Sequence, residues 1–582
     1  MNIISPFNMR DLQHYQRLYA ARHGQSGNAR LDELSQALNC SPRHCRQILQ
    51  RLAAHGWLQW QPGRGRGHTS TLTLLAHPAT LEHDAIQQQL ARGELEQVLQ
   101  NLTPASRQRL REVIPSYLGL HGGSSQRLRL PFYRPLHSLD PAQINRRTEC
   151  HLVRQLFDGL TRFNPQQQRI EPALAHHWQA DDSLQQWRFF LRPGVVFHHG
   201  RPLEGEDVRQ TLYRLRDEPG PFQQLFSHLV GIELPAAHEV VIRLRQPDAL
   251  LPHRLADSCA SILPRERWPQ ADFARLPSGT GAFRLTVNND YRATLQAFER
   301  HWRERALLDE VDIWVLPELD SRARLDARIS SGGELLPSKL RRSQLEPGCC
   351  FVMVNPAKPA FASQQQRQAW QQWLHPAHWR RGELYDAVGQ LIMHDIAHGL
   401  LPGWQQLPAA HHSSPPELPA SLHLVTYQLP SNLAEARQLA TRLAAAGCRL
   451  EITVLPYPEF AQGRWRAHAD LMLCGEVCHD DVDFSLYQWL SSEHIFQPWL
   501  PAALRQQLDT ALRDLAAEAD ASRRMAGYQA TASMLLADGG ILPLSHYTLH
   551  LDFDPALQGI ELSQCGWMDF RSLWLLPADS QA

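Results

Sequence analysis

The chain has 582 residues, 43% of them apolar and 20% charged, with a formal net charge of −1. That length suggests three or four compact units at about 150 residues each, and the balance excludes both a disordered chain and a uniformly polybasic nucleic-acid binder. The even total hides an asymmetry: residues 1–75 carry nine Arg, no Lys and three acids, a net of +6, which leaves −7 for the rest. A basic head on a mildly acidic body fits a nucleic-acid module joined to something else. Met1 to Arg17 has neither the long apolar core nor the small-residue cleavage site of a secretory signal. No run reaches the ~18 apolar residues of a membrane span. The expectation is a cytoplasmic protein that makes no use of a membrane and keeps its thiols mostly reduced.

In chain order, a first helix is predicted over about Met9–His23, with Leu12, Tyr15, Leu18 and Tyr19 on one face. A second, Leu31–Leu38, buries Leu31, Leu34 and Leu38, and Asn39-Cys40 makes the turn. Ser41 as N-cap and Pro42 at the first helical position start a third helix that runs to about His55, where Gly56 stops it. Its inner face is Cys45, Ile48, Leu49 and Leu52; its outer face carries Arg43, His44, Arg46, Gln47 and Gln50. This is the design of a recognition helix, in which early-turn side chains reach base edges in the major groove. The strand around Trp57–Trp60, the loop Gln61–His68 and the strand Thr71–Leu74 then read as a wing, whose Arg64, Arg66 and His68 suit phosphate or minor groove. The competing reading is a helical protein-interaction module with a solvated basic face, and the basic wing argues against it.

Two more helices are predicted, about Leu81–Leu102 and Pro104–Leu120, before a linker at residues 121–126. Residues 1–120 thus form a winged helix-turn-helix with a helical extension, and residues 127–582 a second domain mixing strands, helices and Pro/Gly turns. The Pro-rich stretch Leu407–Pro419 reads as a surface crossing between lobes.

The second domain carries phrases that resemble the family 5 extracellular solute-binding proteins. They run from Tyr133-Arg134-Pro135-Leu136 through Leu156-Phe157-Asp158-Gly159-Leu160 and Pro172-Ala173-Leu174-Ala175 to Leu191-Arg192-Pro193-Gly194 with Glu206-Asp207-Val208, and on to Gly279-Thr280-Gly281 and Phe351–Pro359. With the Ser41–Trp60 segment, Arg146–His151 and Gly566–Phe570, the whole resembles the SgrR/YbaE group of enterobacterial regulators. The resemblance implies an α/β chain: a winged helix-turn-helix followed by a two-lobed, periplasmic-binding-protein-like domain (type II, family 5). It also implies a DNA-binding transcription regulator that senses a small polar metabolite, and one branch of the group answers sugar-phosphate stress. Ligand would act by binding one lobe arrangement better than another.

The resemblance nominates Tyr133 and Arg134, from the opening loop, and Glu476, His479 and Asp480, after a second-lobe strand, as ligand contacts. Arg146 and Arg147 read either as an anion site or as the solvated start of a helix. The partners expected are double-stranded DNA and a small molecule, a sugar phosphate or peptide-like compound. The alternatives are a solute-binding protein acting in transport and a cytoplasmic binding protein that docks another protein. No cofactor or metal is expected, since Cys474-x3-Cys478-His479 falls short of a four-ligand set, and no GxSxG elbow, phosphate loop or HExxH points to an enzyme.

Overall fold

The computed structural model describes residues 9–63, 69–100, 104–121, 126–144, 146–316, 327–330, 340–380, 384–385, 391–392, 394–407, 415–492, 496–564 and 566–576. The chain divides into two compact units: Met1–Gly119 with Pro131–Arg134 and Trp314–Leu325, and the remainder.

In the first unit, α1 (Met9–Ala21), α2 (Leu31–Ala37) and α3 (Pro42–Ala54) pack around Leu12, Tyr15, Leu18, Leu34, Leu38 and the inner face of α3, where Cys45, Ile48, Leu49 and Leu52 are fully buried. The start of α3 follows its chemistry: Ser41 Oγ accepts from His44 N at 3.3 Å and Pro42 occupies the first turn. Two left-handed residues make the bends at either end, Asn39 (φ 52°) before α3 and Gly56 (φ 74°) after it. The wing strands β2 (Leu58–Gln61) and β3 (Ser70–Leu74) pair antiparallel, with Trp60 opposite Leu72. A third strand, β1 (Gly27–Ala29), lies on the other edge of β3. Its sequence, Gly-Asn-Ala, has no strand propensity; the pairing exists because β3 offers an open edge there and Ser26 Oγ accepts from Leu74 N at 2.9 Å.

The extension differs from its expected two helices. It consists of α4 (Pro78–Ala91), α5 (Leu95–Gln100) and α6 (Pro104–Val113), followed by a 3-10 turn over Ile114–Tyr117. Gly93, at φ 75°, breaks the first helix. Ile86, Leu90, Leu95, Val98, Leu110, Val113, Ile114 and Leu118 form one core with Trp314 and Leu316, residues far along the chain. Four of the six positions expected as a linker, 122–125, lie outside the described residues, as do residues 408–414 of the Pro-rich stretch.

The second unit has two lobes with separate cores. In the first lobe, a four-stranded antiparallel sheet runs Leu229–Ala236, Glu239–Leu244, Gln186–Leu191, Ala175–Ala180, and covers Phe189, Phe197, Val208 and Ile242. In the second, the central path is Ile541–Phe553, Gly348–Val354, Leu471–Val477, Ser421–Tyr427, Arg449–Leu455. The last three strands are mutually parallel and the others antiparallel. Helices Pro430–Ala444, Ala502–Ala517 and Ala521–Ala537 add Leu439, Leu508 and Leu535 to this lobe's core. Among the described residues no helix is long and apolar enough to cross a membrane.

Candidate functional site

The outer face of α3 presents Arg43, His44, Arg46 and Gln47, all exposed, opposite its buried stripe. His44 Nδ1 lies 3.3 Å from Gln47 Oε1, so two of the four steady each other one turn apart. Behind the helix, Arg51 and His55 both reach Asp11 on α1, a carboxylate that is only 2% exposed. Arg64, Arg66 and His68 of the wing loop lie outside the described residues.

In the second unit, three parallel strands end side by side, and polar side chains collect at their carboxyl ends, where open α/β sheets gather ligands. Tyr427 ends the first strand, Tyr457 follows the second by two residues, and Glu476 is the penultimate residue of the third. Tyr427 and Tyr457 meet edge to face with ring centroids 5.2 Å apart. Gly348, whose missing Cβ would meet Glu476 O at 2.0 Å, permits the backbone approach that puts Cys349 opposite Glu476 in the sheet.

From the first lobe, α7 (Arg147–Leu156) opens toward this group. Arg147 Nη1 donates to Glu346 Oε1 at 2.7 Å and leaves 46% of its side chain open. The Arg146 guanidinium lies 5.5 Å above the Tyr457 ring. Arg146 is the N-cap residue of α7 but makes no side-chain cap bond, so both arginines turn to the other lobe's residues rather than to their own helix end.

The electrostatics follow from enclosure. Burial pushes the Glu476 carboxyl up to about 7, and Arg147 only partly opposes it. Among the described residues, no hydrogen bond or ion pair reaches that carboxylate. Burial also raises the Tyr427 and Tyr457 hydroxyls, with Glu476 adding to both. For Arg147, burial works against the charge, and Glu346 more than restores it. The arrangement gathers two cations, two tyrosine rings and a carboxyl, raised to about 7, that no hydrogen bond or ion pair reaches among the described residues.

The other nominated residues have different surroundings. His479 Nε2 stands 2.9 Å from Gln488 Oε1 and 3.3 Å from Asp257 Oδ2 of the first lobe. Asp480 Oδ1 accepts from Gln564 N at 2.7 Å, and Arg154 is 3.9 Å from its other oxygen. The adjacent Asp481 caps helix Val482–Ser491 and receives His253 Nδ1 at 2.7 Å. The segment 479–481 therefore ties the two lobes together. Tyr133, 62% exposed, and Arg134, stacked over Phe132 and Tyr133 at 5.1 and 5.5 Å, belong to the first unit. Sequence reasoning missed Tyr427, Tyr457 and Glu346. The available signal was three strand ends in parallel register, and that register is a tertiary fact.

Two family models match the chain: the sugar transport-related sRNA regulator N-terminal domain over residues 10–125, and the middle region of the bacterial extracellular solute-binding proteins, family 5, over residues 169–371. An HTH-type transcriptional regulator SgrR from Yersinia pseudotuberculosis is 34% identical over 98% of this chain and 99% of its own length. Its namesake from Salmonella typhi is 34% identical over 97% and 99%. Among solved structures, a dipeptide-binding protein from Pseudoalteromonas in complex with Met-Leu superimposes with a TM-score of 0.65 at 16% identity, covering 78% of this chain and all of that one. The binding protein MoaA from A. tumefaciens, in complex with mannopinic acid, gives 0.63 at 19%, with the same coverage. At such identities these two show the fold alone. The full-length similarity goes further: the chain belongs to the SgrR family of HTH-type transcriptional regulators, a winged helix-turn-helix fused to a family 5 solute-binding domain.

Proposed function

We propose that this regulator works in the cytoplasm, binds double-stranded DNA through α3 and the wing, and has its DNA binding or activation set by a small polar metabolite held between the lobes of the second unit. The observation that carries the reading is the convergence of Arg146, Arg147, Tyr427, Tyr457 and Glu476 at three parallel strand ends. Pockets of this make, concave with a few converging polar groups, select orientation as well as charge. A sugar phosphate fits best. A guanidinium fork binds phosphate bidentately, tyrosine rings pack against sugar C–H faces, and a protonated Glu476 donates to a hydroxyl.

On the DNA side, Arg43, His44, Arg46 and Gln47 face the groove, and Arg64 and Arg66 reach backbone or minor groove. His479 and Asp480 act on ligand through lobe closure, since both already bridge the lobes. Tyr133 and Arg134, nominated as ligand contacts by the family resemblance, belong to the first unit and are tested separately. Nothing in this scheme calls for catalysis.

The test is calorimetric titration of the full chain with hexose phosphates, alongside DNA band shifts on genomic fragments. Binding that Arg147→Gln weakens at least tenfold, and that changes the band shift, supports the reading. Binding unaffected by Arg147→Gln but lost in Arg134→Ala moves the ligand to the other unit, and retention of no fragment removes the DNA role.

A further inference from the structure

A cavity of about 830 Å3 lies in the same unit, and none of its lining residues belongs to the strand-end cluster described above. Its walls come from both lobes: the stretches around His228 and Arg245 from the first, and helices Val482–Ser491 and Ala502–Ala517 from the second. Arg505, Asp509 and Arg513 recur every four residues along the second of those helices, which places them on one face. Arg245 faces them from the first lobe, its backbone fixed by Arg245 N donating to His228 O at 2.8 Å and by Gln185 Nε2 donating to its carbonyl at 3.3 Å.

The charges here are uncompensated. Among the described residues, no carboxylate lies within ion-pair distance of Arg245, Arg505 or Arg513. Among the described residues, the Arg505 side chain reaches only the Leu500 carbonyl, at 3.3 Å, and that of Arg513 only Asp509 O and Thr510 Oγ1, both at 3.2 Å. Neighbouring arginines are paired: Arg254 on Asp248 at 2.7 Å and Arg524 on Asp483 at 2.6 Å. Asp248 also takes His228 Nε2 at 2.9 Å, so that acid is already committed. The Tyr487 ring, held from behind by the Arg254 guanidinium at 4.4 Å, gives the cavity a rigid apolar wall. Three cations against the single carboxylate of Asp509 leave a site short of two negative charges, with an aromatic surface beside it.

We propose that this cavity is a second small-molecule site, one that takes a phosphate monoester or diphosphate whose organic part lies against Tyr487. Guanidinium groups from both lobes converge on the anion, so an occupant removes their mutual repulsion and favours the joined lobes. The site is distinct from the cleft, and because its occupant favours the joined lobes it is coupled to cleft binding through lobe closure.

The experiment uses the full chain, titrated calorimetrically at physiological ionic strength with inorganic pyrophosphate and with 4-nitrophenyl phosphate. The comparison is between parent, the triple variant R245Q/R505Q/R513Q and the cleft variant R147Q. All three arginines are exposed, so the triple variant is expected to keep the parent's circular dichroism and melting profile; the single variant R245Q serves if it does not. The expected result is binding to parent and to R147Q, and binding weaker by about tenfold or more without the cavity arginines. Absence of binding to the parent at millimolar probe overturns the proposal, as does a loss that follows R147Q instead. A triple variant that binds DNA with a shallower salt dependence than the parent would make the cavity a nucleic-acid surface and likewise overturn it.

Discussion

Arg51, in the last turn of α3, donates from Nε and Nη2 to a single oxygen of Asp11 on α1, at 3.2 and 3.1 Å, while His55 approaches the other oxygen at 3.3 Å. The carboxylate is buried, so its charge depends on these partners. Burial raises its pKa, and Arg51 and His55 together bring it below the ordinary aspartate value. The pair ties the C-terminal turn of α3 to α1 and so constrains the rotation of α3 about its own axis, and with it the direction in which Arg43 and Arg46 point.

Removing that tie is expected to lower stability and DNA affinity together. Arg51→Met should cost about 1.5–3 kcal/mol, the range for hydrogen bonds to a charged group, and chemical denaturation of the full chain checks it. The sign with pH follows from the depressed carboxyl: its contribution is full above the unfolded aspartate value and is lost as pH falls through the lower folded one. Arg51→Met should flatten that acid limb. An unchanged acid limb would mean that Asp11 is satisfied some other way.

On the exposed face of α3, Arg43→Ala, Arg46→Ala or Gln47→Ala is expected to cost about 1–3 kcal/mol each and to relax preference at one base position. None of these side chains holds the core, so melting temperatures should stay at the parent value. Band shifts on a set of operator variants, run at several salt concentrations, separate lost base contacts from lost phosphate contacts.

Glu476 predicts an opposite pH limb in the second unit. A carboxyl raised to about 7 in the folded state binds more protons folded than unfolded. Its effect is absent below the ordinary glutamate value, and stability then falls as pH climbs to about 7. Glu476→Gln should therefore match the parent at low pH and exceed it at pH above neutrality, by on the order of 3 kcal/mol. An anionic ligand should bind the parent more tightly below that pKa than above it, and the variant should lose this dependence. A cationic ligand would reverse the order, which makes the titration a reading of ligand charge.

Lobe closure has its own test in His253 and Asp481, 2.7 Å apart across the lobes. His253→Ala should weaken ligand binding by roughly fivefold through a less populated closed state. It should leave the parent's order of preference among the compounds tested intact. Small-angle scattering is expected to show a more open second unit in the variant without ligand.

Trp314 supplies a further test, in the first unit. It is 1% exposed in a core it shares with Leu316 and with residues of α4, α5, α6 and the turn that follows. Trp314→Ala should cost about 3–5 kcal/mol in that core. A fragment ending at residue 120 lacks Trp314 and Leu316, so it should retain the winged helix but show a loosened extension by amide hydrogen exchange. Protection of α4 to α6 equal to that in the full chain would contradict this.

Much of the winged helix was legible because its determinants are local. Ser41 and Pro42 start α3, Gly56 ends it, and the 3.6-residue stripe Cys45–Leu52 says which face is out. The family phrases of the second domain likewise marked its fold. Other features depended on residues distant in the chain. The strand Gly27–Ala29 has no propensity of its own and pairs only because β3 has an open edge. Trp314 and Leu316 were unreadable as partners of α4 to α6, since more than 190 residues of chain separate them from α6. Sequence placed Glu476, His479 and Asp480 in one segment as ligand contacts, and the tertiary structure gives them different surroundings. Glu476 lies on a strand and points among tyrosines contributed by parallel neighbours, whereas residues 479–481 begin a helix whose acids meet histidine and backbone donors from the other lobe. Backbone propensity and periodicity are carried by neighbouring residues and can be read along the chain. Which side chains share a pocket, and which carboxylate stays unpaired within it, is settled only when the strands align and remove those groups from water.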